Sequence, residues 1–245
     1  MKLQICIVRY GKNRSLLSGL DLLRSQFPKA EITVINNAPL EADLQEIQGT
    51  NLAFEFSGYL ELLENRPKQG VVVLLNDTLF QHHFAGGWVR FIRSFLEVLS
   101  TEDKVIYGDI RWDGTALAER PNPFLASWLF VIPNEISNEV FRSTLRDVIQ
   151  MPIPKMSAEY ELFLTEWLVS SGLWKGWQGS EKDTVTIERK KKCIYWEHQL
   201  SANLAKSGIE LRSIGEKNRV GYWVLRWVDR IKIGFWRIAC RFARL

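Results

Sequence analysis

What this chain lacks narrows it first. Its three cysteines, Cys6, Cys193 and Cys240, lie far apart and are odd in number, so neither a disulfide framework nor a zinc knuckle is encoded. No uncharged stretch approaches the ~20 residues that a spanning helix requires. The apolar run after Met1 reaches Arg9 too early for a signal peptide. Together these absences predict a chain that stays in a reducing cytoplasm. Internal repeats and low-complexity segments are missing too. At 245 residues, 46% hydrophobic and 24% charged, the composition is that of a globular protein with one good-sized core, or one domain plus an appendage.

The charge that is present is unevenly spread. The formal total is +4, yet from Lys217 onward eight basic residues face the single acid Asp229, a surplus of +7 that leaves the rest at −3. A mildly acidic body with a basic tail argues against nucleic acid as a partner. Three of the ten tryptophans fall in the last 25 residues.

The first eighty residues alternate in pattern. Residues 3–8 read as a strand and Arg9-Tyr10-Gly11-Lys12-Asn13 as a loop. Leu16, Leu17, Leu20, Leu22, Leu23 and Phe27 then recur at helical spacing until Pro28 ends the helix. Residues 31–35 form a second strand, closed by Asn36-Asn37-Ala38-Pro39, and a short third segment at 51–56 leads into a helix at 57–64. After a turn at 66–70 come Val71-Val72-Val73-Leu74-Leu75, five apolar residues that stop at Asn76-Asp77. Such a run is a strand buried on both faces. Strands separated by helices predict an α/β fold with a mostly parallel sheet, whose ligand sits beyond the carboxyl ends of the strands. Further on, helices are expected at 88–99, 139–149 and 157–170, and strands at 104–110, 126–132 and 192–195, with Trp196-Glu197-His198 closing the last.

A strand and basic loop at the start, a second strand ending in Asn36-Asn37, and a buried strand ending in Asn76-Asp77-Thr78 resemble GT-A glycosyltransferases. The late His198 adds to the likeness, which covers residues 1–212. The phrase Asn51-Leu52-Ala53-Phe54-Glu55-Phe56-Ser57-Gly58-Tyr59 is similar to segments of bacterial enzymes that build cell-surface polysaccharides. The resemblance implies a GT-A-like sheet flanked by helices. Arg9, Tyr10 and Gly11 would surround the base or ribose of a nucleotide-sugar donor, with Asn37 and Asn76 hydrogen-bonding nearby. Where the family's Asp-X-Asp motif holds Mn²⁺ or Mg²⁺ on the diphosphate, this chain offers only Asp77. That leaves two routes: Asp77 binds the metal, with His198 completing the site, or a basic side chain replaces the ion. Inverting transfer also needs a carboxylate to deprotonate the acceptor hydroxyl, and Asp109, Asp113, Glu159 and Glu161 are the candidates. Plainer roles exist for several of these residues. Asp77 would serve as a turn or N-cap residue, Asn36-Asn37 as a turn, His82 and His83 as loop or helix-start residues, and the basic run 188–192 as a solvated loop, with a phosphate-facing role as its second reading.

Residues 217–245 carry the other clear signal. On a helix, Arg219, Arg226, Arg230, Arg237, Arg241 and Arg244 fall in a stripe about 60° wide. Val224, Trp227, Val228, Ile231, Phe235, Ile238 and Phe242 lie on the far side. Such a helix lies in an anionic membrane interface, binds a partner protein, or packs its apolar side on the body. The whole reading is a glycosyltransferase at the inner face of the cell membrane that moves sugar from a nucleotide-sugar to a cell-surface glycan or lipid-linked acceptor. Its rival is a non-catalytic, glycosyltransferase-like partner protein that has lost its second acidic ligand. A nucleotidyltransferase ranks last, because Gly11-Lys12-Asn13-Arg14 is a poor phosphate loop.

Overall fold

The apolar runs become strands of one sheet. In the computed structural model, residues 2–10, 14–37, 46–65, 70–100, 104–111, 117, 119–169 and 184–242 are described, without the side chains of 14, 15, 82, 169 and 233–242. Strands β1 (Leu3–Arg9), β2 (Glu31–Asn36), β3 (Ile47–Gln48) and β4 (Val71–Asn76) run parallel in the order β3-β2-β1-β4. β5 (Val105–Arg111) and β6 (Phe124–Ile132) follow, and β6 lies antiparallel to both β4 and β5. An antiparallel neighbour needs no helical crossover, and β5 and β6 follow one another in the chain with no helix assigned between them among the described residues. β7 (Glu210–Ser213) closes the far edge, parallel to β5.

Helices cover both faces, which is why β4 is buried along its whole length. Val72 and Leu74 pack toward α2 (Glu55–Asn65), α5 (Glu135–Gln150), α6 (Ala158–Val169) and α7 (Thr184–Lys206). Val71, Val73 and Leu75 pack toward α1 (Arg14–Gln26), α3 (Thr78–His82), α4 (Ala85–Glu97) and α8 (Arg219–Phe242). The result is an α/β fold whose mixed, mostly parallel seven-stranded sheet is flanked by eight helices among the described residues. None of those helices is long and apolar enough to cross a membrane.

Two local expectations are corrected. Residues 192–195 are not a strand but the middle of α7, a 23-residue helix. A short apolar run inside a buried helix cannot be told from a strand by periodicity alone. The third strand is Ile47–Gln48, while residues 51–54 form a turn before α2. The turn expected at 66–69 lies outside the described residues.

α8 is joined to the body by buried charge as well as by the packing of Tyr222 and Leu225 on the core. Tyr222, Arg226 and Asp229, spaced four and three residues apart, face inward. Asp109 on β5 accepts hydrogen bonds from Tyr222 Oη (2.5 Å), Trp128 Nε1 (2.8 Å) and Arg226 Nη1 (2.9 Å), and pairs with Arg111. Asp229 contacts His83 Nδ1 (2.6 Å) and accepts from the Phe84 N–H and Trp88 Nε1, both at 2.7 Å. His83 lies in the short connection between α3 and α4, yet it is buried, and its ring stacks on Trp128 at 4.2 Å.

Candidate functional site

The carboxyl ends of β1, β2 and β4 bring Tyr10, Asn37 and Asp77 to one edge of the sheet, the place where open α/β sheets hold ligands. Because β6 runs the other way, with Leu129 opposite Leu75, its early residue Ser127 arrives level with Asp77.

Asp77 is buried and precedes α3, yet its side chain makes no capping bond. Instead its Oδ2 accepts from the Tyr10 N–H (3.1 Å) and from Gln81 Nε2 (2.9 Å). Burial, aided by the charge of Glu55, lifts the Asp77 pKa to about 6 against the pull of the Tyr10 N–H and Arg9.

From there a chain of contacts runs inward. Tyr10 Oη donates to Glu55 Oε2 (3.3 Å), Ser127 Oγ donates to Glu55 Oε1 (2.6 Å), and the Ser127 N–H donates to Glu197 Oε1 (2.5 Å). Cys193 Sγ lies 3.7 Å from both Glu55 oxygens. Burial raises the Glu197 pKa to about 7; hydrogen bonds from Ser127 oppose the rise and Glu55 adds to it. Three carboxylates, Asp77, Glu55 and Glu197, thus share one poorly hydrated network.

Local structure explains how Glu55 gets there. The turn before α2 holds Asn51 and Phe54 at φ 52°, a left-handed conformation that is strained for a bulky side chain. Asn37 Nδ2 and Ser57 Oγ both donate to the Phe54 carbonyl at 2.8 Å and fix that turn. A Cβ on Gly58 would come within 2.6 Å of Val8, so glycine lets α2 close on β1 and sets Glu55 over the strand ends.

The start of α7 forms the mouth. Arg189 Cζ and Lys190 Nζ lie 5.4 and 5.8 Å from the centre of the Phe54 ring, which also neighbours Tyr10 and Trp196 at 6.5 and 6.4 Å. Burial alone would lower the Lys190 pKa, but Cys193, Glu55, Glu197 and Asp77 raise it overall. Trp196 Nε1 is a buried donor without a partner among the described residues. The basic run 188–192 is therefore helical, with Lys190 turned toward the carboxylates rather than solvated in a loop.

The sequence candidates divide accordingly. Tyr10, Asn37 and Asp77 share the network, and Asn76 lies next to it, accepting the Thr78 N–H at 3.1 Å. Arg9 is buried, its Nε 2.8 Å from Glu46 Oε1. Gly11 and Asp113 lie outside the described residues. Asp109 sits under α8 instead. Burial would raise its pKa, but Arg111, Arg226, Tyr222 and Trp128 hold it at about 2, which makes it a poor base. Glu159 and Glu161 belong to the first turn of α6, and Glu161 pairs with Lys191 at 3.0 Å. His198 is buried between α6 and α7, its Nδ1 2.7 Å from Tyr160 Oη and its ring 4.5 Å from Phe124. Burial and Arg120 lower its pKa to about 3. No group of three or more His, Cys, Asp or Glu able to hold a metal forms among the described residues.

Glu55, Ser127, Cys193 and Glu197 were not among the candidates, and Lys190 entered only within the basic run 188–192. Glu55 stood inside the Asn51–Tyr59 phrase. Read as a helix, the later segment would have placed Lys190, Cys193 and Glu197 on one face, at i, i+3 and i+7. Comparison with protein-family models and with curated proteins finds no match for this chain.

Proposed function

We propose that this chain is a GT-A-like glycosyltransferase that moves a sugar from a nucleotide-sugar donor to a cell-surface glycan or lipid-linked acceptor. The observation that carries the reading is a cationic, aromatic mouth set over buried carboxylates at the carboxyl ends of β1, β2 and β4. Tyr10 and Phe54 offer rings to a base, Asn37 hydrogen-bonds nearby, and Arg189 and Lys190 offer charge to a diphosphate. Negative charge grows on the leaving diphosphate as the glycosidic bond breaks, and a fixed cation in a dry site stabilises it well. Lys190 takes that role, in place of a metal on Asp77. Glu197, with its carboxyl poised near neutrality, is the acceptor base. The acceptor oxygen bonds to the anomeric carbon, its proton passes to Glu197, and the diphosphate departs with the bonding pair.

One observation favours the non-catalytic partner reading: Asp77 is already hydrogen-bonded by Tyr10 and Gln81 of its own chain. A thermal-shift panel of UDP, GDP, dTDP, CDP and CMP, each with and without Mn²⁺, separates the two. A nucleotide at ~100 times its dissociation constant stabilises by about 2.7 kcal/mol, or about 5–10 °C here. The expected outcome is one nucleoside diphosphate shifting the melting point without Mn²⁺, with the shift lost in Lys190→Met. A flat panel in folded protein favours the partner reading. A shift that needs Mn²⁺ returns the cationic role to a metal.

A further inference from the structure

We infer that the outward face of α8 seats this protein on an anionic lipid bilayer. A surface helix ordinarily buries its apolar side, yet α8 keeps only part of its apolar surface inward. Tyr222 and Leu225 pack on the body beside Arg226 and Asp229, which are tied to Asp109 and His83, and the apolar residues at 220–227 that lie opposite face out. Val220, Trp223, Val224 and Trp227 are 77%, 62%, 54% and 64% exposed. Arg219 and Arg230 line one flank of that stripe and are exposed as well.

Charge selects the occupant. The basic surplus from Lys217 onward is +7 against −3 on the remainder, so an anionic surface attracts α8 and repels the body, which fixes orientation. Indole rings settle at the level of lipid headgroups, and arginines beside them meet lipid phosphates. A second copy would bring two arginine-flanked faces together, a poorer match. This inference does not depend on the donor site, since its readout is vesicle binding alone.

Co-sedimentation of the full chain with vesicles of phosphatidylglycerol and phosphatidylcholine, and with phosphatidylcholine alone, tests it. Binding should be strong on the anionic vesicles, weak on the neutral ones, and reduced by salt. The Trp223→Ser/Trp227→Ser double variant should bind at least about tenfold less while keeping the wild-type melting temperature, because neither ring packs on the body. Arg219→Glu/Arg230→Glu should also weaken binding about tenfold or more, each basic residue near an anionic leaflet being worth about fivefold. Equal sedimentation of wild type and both variants overturns the inference. So does an absence of binding to anionic vesicles, whether or not light scattering then finds a dimer held through Trp223 and Trp227.

Discussion

Glu197 is the residue whose chemistry is easiest to isolate. In the fold it keeps its proton up to about pH 7, whereas an ordinary glutamate releases it near 4.5. The folded state therefore binds more protons than the unfolded state between those values, and stability falls as pH rises through that window. His198 works in the opposite sense. Held neutral down to about pH 3, it contributes stability that is lost as pH falls from 6.5 toward that value. The two partly cancel in the wild type, so the Glu197 effect should be read as a difference. Glu197→Gln should gain on the order of 3 kcal/mol relative to wild type between pH 5 and pH 8. Urea melts at the two pH values check this, and an unchanged difference would show that the carboxyl titrates normally. In a transfer assay the same variant should lose about 10²–10⁴-fold in rate. The thiols give a simpler check: burial holds both Cys6 and Cys193 well above the usual thiol range, so neither should be alkylated in folded protein at pH 8.

At the scale of elements, α8 and α2 make opposite demands. Asp109→Ala would leave Arg111 and Arg226 facing each other without their carboxylate, and should cost about 3 kcal/mol. It should also free α8, so limited trypsin digestion would cut near Arg219 and Arg226 sooner than in wild type. In α2, Gly58→Ala raises helix propensity by about 1 kcal/mol, yet the added methyl meets Val8. A net loss of about 1–2 kcal/mol is expected, measurable by thermal or urea unfolding. Legibility also differs by element. β1, β2, β4, β5 and β6 could be read because burial on both faces leaves strands dominated by apolar and β-branched residues, unbroken over Val71–Leu75 of β4. α7 could not, because its buried stretch Cys193–Trp196 is only four residues long and follows turns of charged residues that on sequence alone read as solvated. β7 was invisible for the opposite reason, being a four-residue edge strand with no buried residue.

For the molecule as a whole, topology explains which half of the site was readable. Tyr10, Asn37 and Asp77 sit where strands end, so strand pattern alone brings them together. Glu55, Lys190 and Glu197 reach the same point from helices more than a hundred residues apart, and only the contacts of Glu55 with Cys193 and of Ser127 with Glu55 and Glu197 reveal it. The antiparallel β6 adds Ser127, a contribution that an all-parallel sheet would have pointed away. The distribution of function then rests on one joint. Six residues after Asp77, His83 is gripped by Asp229 of α8, and Lys232 binds the His83 carbonyl at 2.7 Å. If α8 rests on lipid as proposed, that joint would make the protein a gauge. The stand-off between headgroups and the carboxylates would be set by these buried contacts, and acceptors would be sorted by how far their reactive end projects from the bilayer.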